Sequence, residues 1–139
     1  MKDDLRDVRL RNRGLNRVLG DREASIMEVL WGREDVAVRE IHKHIAEHED
    51  IAYTTVMTIT DRLWRKGLLR RRKEGNAYLY TPVATRESFM ASCLERILTS
   101  FLPDMTETSL SRFVDNLANE KPGLLDDLER LVRERKANP

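Results

Sequence analysis

A single cysteine, four prolines and a 6% share of aromatic residues remove several architectures at the outset. Cys93 has no partner for an internal disulfide, and cysteine-built metal clusters go with it. It lies at helical spacing with Phe89, Ile97 and Phe101, so a buried structural thiol is expected. No apolar run in the sequence approaches the roughly 18–20 residues that cross a bilayer. The N-terminus mixes arginines with acids, unlike a signal peptide, and the chain is expected in the cytoplasm. A glycine-rich phosphate loop and a nucleophile elbow are also missing. The string His44-Ile45-Ala46-Glu47-His48 matches the H-x-x-E-H pattern of one class of zinc protease, but no third ligand or cleft accompanies it. Both histidines are expected on the surface, flanking buried Ile41 and Ile45. Neither catalysis nor a cofactor or metal is expected.

Charge is what the chain has in quantity. Charged residues make up 35% of it and apolar residues 40%, with a net charge of only +1. That composition fits a helix-rich protein with a modest core, either one domain or a small domain with an oligomerisation appendage. The balance is uneven along the chain. Residues 52–80 hold seven Lys/Arg against two Asp/Glu, and residues 84–139 hold eight against ten. Three regions follow: a basic N-terminal arm over residues 1–18, a compact unit over 19–83 and a helical unit over 84–139.

Within the central region, Ile26, Val29 and Leu30 form one apolar face of a first helix, with Asp21 as its expected N-cap and Gly32 at its end. A short extended piece at 36–38 precedes a second helix carrying Ile41 and Ile45. In a third helix, residues 53–66, Val56, Ile59 and Leu63 share the inner face. Gly67 is placed to stop it in left-handed geometry. Two strands, 68–73 and 77–81, then flank Glu74-Gly75-Asn76, a turn composition suited to a hairpin. Three helices followed by a hairpin make a winged helix-turn-helix, mainly α with a small β-hairpin wing.

The exposed side of the third helix holds Thr54, Thr55, Thr58, Arg62 and Arg65. Threonine offers a hydroxyl and a methyl to base edges, and arginine can pair with guanine O6 and N7. One of Thr54 and Thr55 is also expected to cap the helix. In the wing, residues 69–81, Arg70, Arg71, Arg72 and Lys73 alternate sides, so two of the four should face DNA and bind phosphate.

Beyond Pro82 the pattern is helical throughout. Thr85 is placed to cap a helix that runs to about Phe101. Leu110, Phe113, Val114 and Leu117 form a second stripe, and Leu124, Leu128 and Leu131 a third, beginning near Pro122. Three short amphipathic helices expose more apolar surface than they can cover on each other, which predicts a homodimer closed through Phe89, Ile97, Phe101 and these stripes.

The segments LGDREASIMEVLW, VREIHKHI, AYTTVMTITDRLWRKGLL and YLYTPV together resemble the BlaI/MecI family of penicillinase repressors over roughly residues 19 to 135. The resemblance implies a homodimeric winged-helix repressor on a palindromic operator. It further implies that a membrane sensor protease cuts the C-terminal region to release DNA. The corresponding bond is Arg112-Phe113, where staphylococcal members carry Asn before the Phe. The cysteine pattern of the copper-responsive branch is absent. Two other readings of the same residues remain: a winged-helix regulator released by a small molecule, and a winged-helix module that binds protein.

Overall fold

The computed structural model describes residues 18–139, so the N-terminal arm expected over 1–18 lies outside it except for Val18. The chain divides into two compact units, one ending at Glu95 and one spanning Arg96–Pro139.

The first unit contains helices α1 (Asp21–Leu30), α2 (Val38–Ala46) and α3 (Tyr53–Arg65), strands β1 (Val36–Ala37), β2 (Leu69–Glu74) and β3 (Ala77–Pro82), and the start of α4 (Arg86–Phe101). All three helices pack on one another. Ile26, Met27 and Leu30 of α1, Ile41 of α2, and Val56 and Leu63 of α3 are the largest fully buried apolar side chains. Ile26 and Leu30 of α1, Ile41 of α2, and Val56 and Leu63 of α3 are positions that helical periodicity singles out, because a 3.6-residue repeat brings i, i+3, i+4 and i+7 onto one face. In α1, however, Met27 is buried while Val29, expected on the inner face, is only half-buried. Leu69 and Tyr80 close the core from the sheet side.

The N-cap of α1 is Gly20, without a side-chain capping bond, and Asp21 is the first helical residue. Asp21 was expected one position earlier. It still acts favourably with Glu23 in the first turn, where the helix dipole is positive. Neither Thr54 nor Thr55 caps α3; its N-cap is Ala52. At the other end Gly67 has φ +82°, Leu68 N–H bonds to Leu63 C=O at 3.1 Å, and Gly67 N–H to Trp64 C=O at 3.0 Å. This pair of bonds is the Schellman arrangement, and it turns the chain directly from α3 into the wing.

The sheet is antiparallel with order β1-β3-β2. Glu74 pairs with Ala77, so the hairpin loop is only Gly75-Asn76, and Gly75 takes the positive φ (+62°) that such a loop needs. Each wing strand lies one residue later than its pattern suggested at one or both ends. Tyr78 and Tyr80 share a face, with ring centroids 6.5 Å apart.

Thr85 caps α4, its hydroxyl accepting from Ser88 N–H at 3.1 Å. The start of α4 is fastened to α1: Arg86 donates to Glu28 at 2.8 Å, and the Phe89 ring lies 5.6 Å from that of Trp31. Phe89, expected at a dimer contact, thus packs against the core of its own chain.

The second unit holds the end of α4, a 3-10 turn at Leu102–Asp104, α5 (Glu107–Glu120) and α6 (Gly123–Ala137). Thr106 and Ser109 form a capping box at the start of α5. α5 packs on α6, with Val114, Leu117, Leu124, Leu125 and Leu128 half-buried. No residue of α4, α5 or α6 is buried. Leu94, Ile97, Phe101, Leu110, Phe113, Leu131 and Val132 are exposed, and Cys93 is half-buried, less covered than a core thiol.

Candidate nucleic-acid interface

Helix α3 buries Val56, Ile59, Thr60 and Leu63 and leaves its opposite side open. Thr54, Thr58, Arg62 and Arg65 are exposed there, while Thr55 is half-buried. The Thr58 hydroxyl donates back to Thr54 C=O at 2.9 Å, which still leaves its oxygen lone pairs and methyl outward. Glycine-terminated α3 leads into β2 within three residues, so the helix and the wing are sequence neighbours as well as spatial ones.

The basic residues of this surface are not equivalent, because acids distant in sequence engage several of them. Lys66 Nζ donates to both Glu23 carboxylate oxygens, at 2.9 and 3.1 Å, and Arg62 Nη1 lies 4.0 Å from the same group. Asp61 receives Arg65 at 2.9 Å and Arg71 at 3.0 Å on its two oxygens. Asp35 receives Arg72 in a two-bond fork at 3.0 and 3.1 Å, with Glu74 a further 3.4 Å contact. The Arg72 pKa is pushed up, first by the Asp35 hydrogen bond and then by its charge.

The register sorts the wing cations by face. Arg71 is opposite Tyr80 and Lys73 opposite Tyr78, while Arg70 and Arg72 are opposite Thr81 and Leu79 on the other side. Arg70 and Lys73 are exposed and have no acidic partner among the described residues. Arg71 is drawn inward: its side chain is only 18% exposed.

Glu23 and Asp35 had no signal in the sequence. Their partners lie 43 and 37 positions away, and only the folded chain brings them together. Asp35 has φ +52°, an unusual backbone state for a residue with a side chain, and its N–H donates to Thr81 Oγ1 at 2.9 Å. The cleft between α2, α3 and the wing, about 610 Å³ and lined by Tyr53, Met57 and Tyr78 among others, was likewise not anticipated.

Arg33 Nη1 donates to His44 Nε2 at 2.8 Å, since arginine carries only donors. His48 is exposed. Among the described residues no group of three His, Cys, Asp or Glu is arranged to hold a metal ion, and no helix is long and apolar enough to cross a membrane.

Three packed helices, an exposed third helix and an adjoining antiparallel hairpin define this unit as a winged helix-turn-helix domain. The chain belongs to the penicillinase repressor family, whose model matches residues 19–134. It is similar to the transcriptional regulator BlaI of Mycobacterium tuberculosis, 39% identical over 77 residues, 55% of this chain and 56% of that one. The match therefore spans little more than half the length of that relative. It is also similar to the penicillinase repressor of Bacillus licheniformis, 24% identical over 120 residues, 85% of this chain and 91% of that one. Among solved structures it is similar to the DNA-binding domain of the repressor BlaI, with 29% identity, a TM-score of 0.45, and coverage of 49% of this chain and 83% of that one.

Proposed function

We propose that the protein is a homodimeric transcriptional repressor that reads a palindromic DNA operator with α3 and the wing. The observation that carries this reading is the open face of α3, where Thr54 and Thr58 are exposed in the first two turns and Arg62 in the last, with only a long 4.0 Å contact from Arg62 to Glu23, and where Arg70 and Lys73, without an acidic partner among the described residues, follow on the wing. In this reading Thr54, Thr55, Thr58 and Arg62 meet base edges, and Arg65, Arg70 and Lys73 meet phosphates. Arg72 has its Nε and Nη2 donors held by Asp35 and can offer them to phosphate only by leaving it. The absence of any buried residue in α4, α5 and α6 supports a second copy covering Ile97, Phe101, Leu110, Phe113 and Leu131. Two half-sites about one helical turn or a multiple apart are then engaged together, and loss of the dimer loses the operator.

In this reading a membrane sensor protease releases the DNA by cutting at Arg112-Phe113, a step suggested by the resemblance to the family; both residues are exposed on α5. A small-molecule effector is the alternative trigger, and it leaves the chain intact on induction.

The deciding experiment is selection of bound duplexes from a random pool with the purified protein, followed by affinity measurements at several salt concentrations. A two-fold palindrome with a steep salt dependence is expected. Recovery of no motif would overturn the reading in favour of a protein-binding module.

A further inference from the structure

We propose that Arg71 is a positioning residue: its guanidinium pins the wing to α3 and stays in place when DNA is bound, contacting no phosphate. The proposal rests on the DNA-binding reading above and assigns the wing cations different tasks within it.

Arg71 belongs to the face of β2 that also carries buried Leu69, and it pairs in register with buried Tyr80. Its guanidinium carbon lies 3.4 Å from the ring centroid of Trp64 and 4.0 Å from that of Tyr78. Nη1 donates to Asp61 Oδ1 at 3.0 Å. One planar cation therefore touches Asp61 and Trp64 of α3 and Tyr78 of β3. Its three contacts are of two kinds, two rings and one carboxylate. A phosphate could take the Nη1 donor only by displacing Asp61, which also holds Arg65 at 2.9 Å.

The chemistry suits arginine in particular. A guanidinium is flat and weakly hydrated, so it can lie against aromatic faces while its edge meets a carboxylate. Lysine has the same charge but a compact, strongly hydrated head that cannot fill a flat slot. The other face of β2 is fixed as well, by the Arg72 fork to Asp35, whose own N–H is bonded to Thr81. With both faces of β2 tied, the angle between the wing and α3 is set before DNA arrives, and a reader with two contact elements gains from that preorganisation.

The test separates charge from shape. Arg71→Lys should lower affinity for a duplex recovered by random-pool selection by about tenfold, with an unchanged slope of log affinity against log salt, because no phosphate contact is lost. Trp64→Leu, which alters no charge, should give the same loss, and the double variant should be no weaker than either single one. The wild-type protein supplies a second readout. Its Arg71 Nε–Hε signal in the nitrogen-15 spectrum should be ring-shifted in the free protein and should stay so when the duplex is added. Wild-type affinity in Arg71→Lys, a slope shallower by about one in that variant, or movement of the Hε signal on adding duplex would overturn the pin. If no duplex is recovered, the DNA-binding reading fails, and absence of the ring shift in the free protein would separately remove the pin.

Discussion

Glu23 is buried to 10% side-chain exposure, chelates the Lys66 ammonium and lies 4.0 Å from Arg62. Replacing it by Gln frees both cations, so Glu23→Gln should raise affinity for DNA of arbitrary sequence and steepen its salt slope by up to about one unit per phosphate newly met. Titrations of a non-operator duplex from low to moderate salt would measure this, and an unchanged slope would detach Glu23 from the interface. Arg62→Ala should cost operator binding about 1–3 kcal/mol, and non-operator binding much less, as expected for a base-reading arginine. Equal losses on both duplexes would remove Arg62 from base reading. At this scale the sequence was only partly informative. It picked out Thr54, Thr58, Arg62 and the wing cations by their place on one helix face and one hairpin. It did not reveal which cations were already engaged, because Glu23–Lys66 and Asp35–Arg72 depend on tertiary approach and no local pattern encodes them.

The elements were more legible than the pairs between them. The inner stripe of α3 and the glycine that stops it are local signals, and the wing strands fell within one residue of their patterns because turn chemistry fixes a hairpin's centre. Capping was less legible. Asp21 and the threonines of α3 have the right chemistry for an N-cap, yet Gly20 and Ala52 take the positions, since where a helix begins depends on how its buried face must sit. Gly67→Ala tests the α3 stop: forcing a Cβ into φ +82° should destabilise the protein by about 1–2 kcal/mol, read as a lower midpoint in urea. Nothing lies within 4 Å of that Cβ, so an unchanged midpoint would mean the turn relaxes into another geometry. Thr106→Ala, which removes one half of the capping box on α5, should cost about 1 kcal/mol. Thermal unfolding of the full chain would show whether α5 melts with the rest or ahead of it.

At the scale of the whole molecule, the decisive property is what the C-terminal helices leave uncovered. Their stripes were legible from periodicity, and so was the shortage of partners within one chain; which stripe residues turn inward was not, as Phe89 packing on Trp31 shows. Phe113→Asp puts a charge on the 41%-exposed ring position of α5 and should dissociate the proposed dimer, because a carboxylate in an apolar contact is strongly unfavourable. Sedimentation equilibrium would report the change, and a dimer that persists would assign that face to solvent. The acids beside the reading surface have a consequence for how such a protein finds its site. Three carboxylates, Glu23, Asp35 and Asp61, already occupy five of the cations in and around α3 and the wing. Under the proposed DNA-binding reading, cations neutralised from within would release fewer counterions on meeting a duplex, so attachment to unrelated stretches of a chromosome is expected to be weak and brief. Because a genome offers millions of such stretches for each correct one, a low background hold shortens the time lost among decoys and lets a modest number of molecules keep a promoter occupied.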